Sequence, residues 1–161
     1  MKIRRVEPTD AFEITSIYNY YILNTIITFE EEMINVAEME KRIRSISSDY
    51  PFLVAADEDS IIGYAYATAW KTRSAYRYSA EVTIYLKHDK VGVGIGFKLY
   101  SALIDELKRT KLHVFVGGIA LPNPASIALH EKLGFKKISQ FEQIGFKFGK
   151  WIDVGYWELK L

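Results

Sequence analysis

The stretch HDKVGVGIGFKLYSALIDELKR, residues 88–109, places Gly92, Gly94 and Gly96 at alternate positions directly before an amphipathic segment. Free backbone N–H groups in the first turn of a helix, together with the positive end of the helix dipole, form a site suited to a phosphate group. The alternative interpretation is a tight strand-to-helix turn that needs glycine only for its dihedral angles. The segment after the glycines is predicted to be a helix because its apolar residues recur at helical spacing: Phe97, Tyr100, Leu103, Ile104 and Leu107.

Two common glycine motifs do not fit this loop. A P-loop, G-x-x-x-x-G-K-[ST], read from Gly92 would require its second glycine where Phe97 stands. A dinucleotide fingerprint, G-x-G-x-x-G, fails at Phe97 when it is read from Gly92, and at Lys98 and Leu99 when it is read from Gly94. The loop therefore has to be interpreted from its surroundings.

The segments on either side of the loop predict a mixed α/β sheet. Asn35 and Asn123 have the residue type and position of helix N-caps, and Gly134 marks a helix end. The order βααβββαβαββ combines hairpins with crossover helices, as in mixed sheets. The predicted elements are a strand at 2–7, a helix capped by Thr9 or Asp10 and reaching Asn24 with Phe12 among its apolar positions, a helix from Asn35, a hairpin over 52–70 turning at 57–60, a strand at 75–86, the helix after the glycines, a strand at 112–120, a helix at 123–134, and strands at 136–146 and 150–161.

Length and composition limit the classes of function. The 161 residues, 49% hydrophobic and 25% charged, predict a single domain over 1–161 with one substantial core. A net charge of +1 gives no long-range attraction to nucleic acid or an anionic membrane. The chain has no cysteine, which excludes thiolate metal sites and a cysteine nucleophile and suits the cytoplasm. The first ten residues lack the apolar run of a signal peptide.

Five blocks, in order, resemble the GNAT superfamily of acetyl-CoA-dependent N-acetyltransferases, and more narrowly its phosphinothricin N-acetyltransferase-like family. They are IYNYYILNTIITFE (17–30), RSAYRYSAEVTIYL (73–86), GVGIGFKLYSALI (92–104), NPASIALHEKLGF (123–135) and GFKFGKWIDV (145–154). The resemblance implies the α/β GNAT fold, a mixed, mostly antiparallel sheet of about seven strands with four helices. It also implies acetyl-CoA as cosubstrate, no metal, and a homodimer in which rings of the aromatic tail can be interfacial.

In that family the backbone amides of the glycine loop bind the pyrophosphate of CoA. The resemblance assigns this role to residues 91–97: Val91, Gly92, Val93, Gly94, Ile95, Gly96 and Phe97. Val91 and Val93 depart from the family pattern, which has Gln or Arg at the first position and Lys or Arg at the second. Backbone amides still bind a diphosphate without side chains, and Lys87, Lys90 and Lys98 lie close in sequence. We therefore expect weaker CoA binding than in typical relatives.

The strand before the loop carries a candidate base. Alternation over 79–86 puts Glu81 on the opposite face from Val82 and Ile84, and partial desolvation would raise the pKa of a carboxyl there. A solvated glutamate on an exposed strand face is the alternative. The resemblance assigns Glu81 as general base, acting directly or through water, and it assigns contacts with the pantetheine arm to the strand end: Ile84, Tyr85 and Leu86.

The helix at 123–134 carries further candidates. Asn123 is explained as an N-cap, and the resemblance also implies that it contacts the pantetheine or acetyl group, with Ser126 in the same contact region. His130 lies two helical turns on and projects from about the same side. A structural histidine is the alternative to its implied role as general acid or substrate-orienting residue.

The acceptor amine is predicted to be small and amino-acid-like. Arg73 and Arg77 could hold its carboxylate or phosphinate bidentately, although two exposed basic residues are the alternative. Phe29 and Glu30 lie in the implied acceptor pocket. The leading hypothesis is direct transfer in a ternary complex to phosphinothricin, methionine sulfone or methionine sulfoximine. Acetylation of a protein or peptide N-terminus, or a non-catalytic acyl-CoA-binding module, are the other hypotheses.

Overall fold

Within the part of the chain that the structure describes, seven strands and four helices follow one another in the predicted order. The structure is a computed structural model that describes residues 1–57 and 60–161. The predicted tip of the first hairpin, Glu58 and Asp59, lies outside the described residues. The elements are β1 Lys2–Arg5, α1 Ala11–Asn24, α2 Val36–Ser47, β2 Phe52–Asp57, β3 Ser60–Ala69, β4 Ser79–Leu86, α3 Ile95–Leu107, β5 Val114–Ala120, α4 Pro124–Lys132, β6 Lys136–Lys147 and β7 Lys150–Lys160.

The strands form one sheet in the order β1-β2-β3-β4-β5-β7-β6. Every neighbouring pair is antiparallel except β4 and β5, which are parallel. This confirms the mixed, mostly antiparallel sheet predicted from the sequence, and it places the crossover helix α3 between the two parallel strands as a βαβ unit requires.

The parallel pair separates partway along its length. β4 and β5 pair from Ser79 with Val114 to Glu81 with Val116, after which β4 continues to Leu86 and β5 to Ala120 without a shared register. A wedge therefore opens in the middle of the sheet, and Glu81 lies where the two strands part.

Two apolar cores cover the two faces of the sheet. Leu99 and Leu103 of α3 are fully buried against one face, and Ile14 of α1 is fully buried against the other. β4 contributes to both cores, because Val82 packs with α3 and Tyr85 packs with α1 and α2. The predicted alternation of this strand is confirmed.

Three local expectations are wrong. Residues 75–78 are not strand, because Ser74–Tyr76 form a 3₁₀ turn before β4. Asp10 does not cap α1 with its side chain; its carboxylate instead accepts from the Arg4 guanidinium at 2.7 Å and the Glu7 N–H at 2.8 Å. Phe12 is 70% exposed rather than part of the core.

Candidate active site

A cavity of about 400 Å³ occupies the wedge between β4 and β5. Its walls come from residues 81–85 of β4, residues 118–120 of β5, one face of α4 and residues 27–29 of the segment between α1 and α2. Because the strands part just beyond Glu81, the cavity reaches unpaired backbone on both sides.

The free backbone edge of β4 consists of its even-numbered residues. Lys87 N–H donates to the Ile62 carbonyl at 2.9 Å, so the backbone of Lys87 faces β3. Along a strand, the backbone N–H and C=O groups of successive residues point alternately towards the strand on one side and the strand on the other. Those of Val82, Ile84 and Leu86 therefore point towards the wedge.

Part of this edge is already satisfied. The Leu86 carbonyl accepts from the Tyr21 hydroxyl at 2.7 Å, which leaves its N–H group for a ligand. On the other side, Leu121 N–H donates to the Asp153 carbonyl at 2.9 Å, so alternation turns the backbone of Gly118 and Ala120 towards the wedge. An extended ligand could therefore bind as an additional strand, as was expected for Ile84 and Leu86. Tyr85 lines the cavity, and its side chain packs in the core formed with α1 and α2.

The glycine loop opens directly into α3. Gly92 and Gly94 have φ of +79° and +84°, a region that disfavours any other residue, and a β-carbon at either position would meet open space. Gly96 packs closely, since a β-carbon there would lie 3.2 Å from Leu86 Cδ1. The side chains of Val91 and Val93 are 53% and 71% exposed, and they do not cover the backbone of the loop.

The first turn of α3 presents main-chain donors. Lys98 N–H bonds to the Gly94 carbonyl at 3.2 Å, so the N–H groups of Ile95, Gly96 and Phe97 precede the first intrahelical bond. These donors, the helix dipole and the open glycine surface fit a diphosphate group. Lys132 adds a cation nearby, with its ammonium 4.5 Å from the centre of the Phe97 ring.

Glu81 projects into the cavity at the point where the strands separate. Burial raises the pKa of its carboxyl, and the Lys71 ammonium partly opposes that effect. Among the described residues, no hydrogen-bond or ion-pair partner is recorded for the carboxylate. Glu81 is thus a partly desolvated carboxyl that faces a cavity, as a general base requires.

His130 and Tyr100 form a buried hydrogen-bonded pair beside the cavity. The His130 Nδ1–H donates to the Ser126 carbonyl at 2.8 Å, so Nε2, at 3.1 Å, accepts from the Tyr100 hydroxyl. Burial lowers the pKa of His130 and raises that of Tyr100, which keeps the imidazole neutral and the phenol protonated. Gly117 makes the arrangement possible, because a β-carbon there would overlap the imidazole ring.

Asn123 begins α4 and also lines the cavity. Its side chain accepts from the Ser126 N–H at 3.1 Å, which confirms the predicted N-cap. Asn123, Ser126 and His130 all face the cavity.

The predicted acceptor residues separate into two groups. Phe29 lines the cavity, whereas Glu30 pairs with the Arg42 guanidinium at 2.8 Å outside it. Arg73 and Arg77 are exposed and do not line the cavity, and the Arg77 guanidinium lies over the Tyr78 ring at 4.5 Å. The structure of the single chain therefore does not bring either arginine to Glu81.

Sequence reasoning missed several residues of this region, among them Tyr100, Lys71 and Tyr156. The helical pattern identifies Tyr100 only as an apolar position of its helix. A buried phenol needs a hydrogen-bond partner, and this requirement is the signal that could have found it. Lys71 opposes the pKa shift of Glu81, and Tyr156 lines the cavity. For these two, the sequence alone carried no signal.

Two features of the described residues bear on other classes of function. Within residues 1–57 and 60–161, no group of three potential metal-ligating side chains gathers. None of the helices in the described chain has the length and apolar character needed to cross a bilayer.

Comparison with known proteins finds similar sequences and structures. A model described as an acetyltransferase (GNAT) domain matches residues 3–155. The L-methionine sulfoximine/L-methionine sulfone acetyltransferase of Salmonella typhimurium is 36% identical, over 100% of this chain and 95% of its own.

Two solved structures are also similar. The phosphinothricin acetyltransferase of Sinorhizobium meliloti, in complex with AcCoA, is 37% identical with a TM-score of 0.96, over 99% of this chain and 88% of its own. The ribosomal-protein-alanine N-acetyltransferase of Brucella melitensis is 32% identical with a TM-score of 0.97, over 100% of both chains.

Proposed function

This chain belongs to the GNAT acetyltransferase family, and we propose that it acetylates the amino group of a small amino-acid-like molecule, using acetyl-CoA. The proposed acceptors are phosphinothricin, methionine sulfone and methionine sulfoximine. The observation that carries the proposal is the Glu81 carboxyl of raised pKa, facing a cavity that also exposes unpaired backbone of β4 and β5.

Acetyl-CoA supplies an activated acetyl group as a thioester. The residues available to hold it are the main-chain donors of Ile95, Gly96 and Phe97 for the diphosphate, and the backbone of Val82 and Ile84 for the pantetheine arm. These contacts use no side chain of the loop, so Val91 and Val93 do not abolish them.

Glu81 removes the proton from the acceptor ammonium. Burial favours the protonated form of its carboxyl and so makes the carboxylate a stronger base than a solvated glutamate. Lys71 lies close enough to lower the pKa of Glu81 and gives the cavity region a cation that suits the carboxylate of an amino acid. Whether a water lies between Glu81 and the amine does not alter this role.

The Tyr100 hydroxyl and His130 act as one proton-bearing group. The hydroxyl keeps its proton because burial raises its pKa, and the neutral His130 holds it in place through Nε2. We assign this pair to protonation of the departing sulfur: the Tyr100 hydroxyl turns from His130 Nε2 and gives its proton to the thiolate, and the second proton released by the acceptor nitrogen restores the hydroxyl, with His130 orienting Tyr100. A covalent route through a cysteine thiol is impossible because the chain has none, which supports direct transfer in a ternary complex.

A peptide N-terminus is the second candidate acceptor. The similarity to the Brucella melitensis protein favours it, because that relative is named for acetylation of ribosomal-protein alanine. A non-catalytic acyl-CoA-binding module is the third candidate, and the retained Glu81, Asn123 and His130 argue against it.

One assay separates the three candidates. The protein is mixed with acetyl-CoA and a panel of amino acids, their sulfone, sulfoximine and phosphinate analogues, and short peptides, and release of free CoA thiol is followed. We expect turnover with the amino-acid analogues, which the Glu81→Gln variant loses. Turnover only with peptides would favour the second candidate, and binding of acetyl-CoA without turnover would favour the third.

We also propose a homodimer in the cytoplasm. β6 is an edge strand, and with β7 it exposes a set of large apolar side chains that a monomer would leave in water: Phe141, Ile144, Phe146, Phe148 and Trp151, each at least 50% exposed. Sedimentation equilibrium should give twice the chain mass of 18.5 kDa. A mass of one chain at micromolar concentration would contradict the dimer.

A further inference from the structure

Lys147, the last residue of β6, is a buried cation that the proposed reaction does not use. It is 1% exposed, whereas lysines are almost never fully buried without a partner. No carboxylate among the described residues lies within ion-pair distance of its ammonium. Burial lowers its pKa, and Glu31 partly opposes that shift.

The recorded hydrogen bond of this ammonium reaches the wall of the cavity. Lys147 Nζ donates to the backbone carbonyl of Thr28 at 2.8 Å, across a sequence separation of 119 residues. Thr28 lines the cavity and is 7% exposed. Its hydroxyl lies 2.9 Å from the Tyr18 hydroxyl of α1, so Thr28 is held from two sides.

The same hairpin makes a second contact with this wall. The Phe29 ring packs so closely over Gly145 that a β-carbon at position 145 would overlap it. Phe29 and Ile144 both line the cavity. The β6–β7 hairpin and residues 27–29 therefore meet at two points, one polar and one apolar, directly beside the cavity.

We propose that Lys147 is a positioning residue that fixes residues 27–29 as a rigid wall and thereby sets which acceptors the cavity takes. This inference rests on the proposed function of the cavity. Lys147 does not touch the acceptor; its bond to Thr28 determines where the Phe29 ring stands. A buried ammonium is suited to this task because it bonds to a backbone carbonyl. Side-chain substitutions elsewhere do not remove that acceptor.

The test compares Lys147→Met with Lys150→Met. Lys150 lies directly opposite Lys147 in the β6–β7 ladder but is exposed, so it provides a matched control on the same hairpin. For Lys147→Met we expect the KM for the acceptor to rise about tenfold or more, because small misplacement of a positioning wall has large effects. The Kd for acetyl-CoA should be unchanged, and Lys150→Met should match the wild type in both.

A readout that needs no turnover separates this inference from the proposed function. Hydrogen exchange of the backbone at 25–31 should accelerate in Lys147→Met, while exchange at 95–100 should not change. If the wild type acetylates no acceptor, the proposed function fails but the exchange result still tests the wall. Unchanged exchange and an unchanged acceptor KM, or equal losses in acceptor KM and acetyl-CoA Kd, would overturn the inference.

Lys147→Arg covers the case in which Lys147→Met does not fold. Arginine keeps the charge and a donor but is longer and planar, so it should shift residues 27–29 without removing their anchor. We expect the ratio of kcat/KM between methionine sulfone and a shorter amino acid to change at least about threefold, since such ratios report differential binding in the transition state. An unchanged ratio in Lys147→Arg would overturn the inference.

Discussion

The glycine loop with the end of β4 and the cavity beside it form the two ends of the proposed active site, and these ends are built from different parts of the chain. The proposed coenzyme end uses main-chain groups of one contiguous stretch, residues 82–97, and its loop side chains point into solvent, with Val93 71% exposed. The proposed acceptor end, where the amine and the thioester meet, uses side chains from distant segments, including Glu81, His130 and Tyr100, and the last of these is 0% exposed.

This difference predicts different tolerance to substitution. A backbone donor remains when its side chain changes, so the coenzyme end should respond mainly to changes in dihedral angle. A side-chain network loses a member outright, and the partner left behind is buried without a hydrogen bond. Substitutions at the two ends therefore test that contrast.

The pH dependence of turnover should report the Glu81 carboxyl. Because burial raises the pKa of this proposed base, kcat/KM should fall tenfold per pH unit on an acid limb whose midpoint lies above the ordinary value of 4.5. Glu81→Gln should lower kcat by roughly 10²- to 10⁴-fold, the usual range for loss of a general base. Stopped assays of thiol release across pH 4.5–9 would measure both.

The same shift should act on stability with the opposite sign. A carboxyl whose pKa is raised by folding stabilises the protein below that pKa and destabilises it as the pH rises through it. Glu81→Gln should therefore melt at a higher temperature than the wild type at pH 7, with a smaller difference at pH 4.5. A lower melting temperature at pH 7 would contradict the assignment of a partly desolvated, charged Glu81.

Removal of the Tyr100 hydroxyl tests the acceptor end a second time. Tyr100→Phe keeps the ring and leaves His130 Nε2 without its donor, so kcat should fall roughly tenfold to a hundredfold. The Kd for acetyl-CoA should not change. Tyr20→Phe is the control, because Tyr20 stacks on His88 away from the cavity. A kcat for Tyr100→Phe within twofold of the wild type would remove Tyr100 from the proposed chemistry.

The same contrast explains how much the sequence could predict. The fold order, the helix after Gly94 and the inward-facing Glu81 depend on local periodicity and spacing, and all three were predicted correctly as structure. The Tyr100–His130 and Thr28–Lys147 contacts join residues far apart in the chain, and no local pattern specifies them. In the sequence, Arg73 is a cation close to Glu81. The turn at Ser74–Tyr76 nevertheless leaves it outside the cavity.

At the coenzyme end, a dihedral change should matter more than a side-chain change. Gly94→Ala opposes a φ of +84°, which costs about 1–2 kcal/mol for a residue with a β-carbon. The Kd for acetyl-CoA should weaken roughly five- to thirtyfold, measured by calorimetry, with kcat at saturation preserved. Gly149→Ala carries the same kind of strain at φ +71° in the β6–β7 turn and should leave the Kd unchanged. If both variants lose stability and neither changes the Kd, the glycine is needed only for the fold of the turn.

The smallest effect is expected where the family pattern is broken. Val91 is 53% exposed, and the Val91→Arg variant places a solvated cation beside donors that are already in position. Exposed charge pairs contribute about 0–1 kcal/mol, so the Kd for acetyl-CoA should tighten by no more than about fivefold, and the gain should shrink in high salt. Val91→Gln is the uncharged control and should bind like the wild type. A gain of fiftyfold would mean that loop side chains rather than backbone amides dominate diphosphate binding, and the contrast between the two ends of the proposed active site would no longer hold.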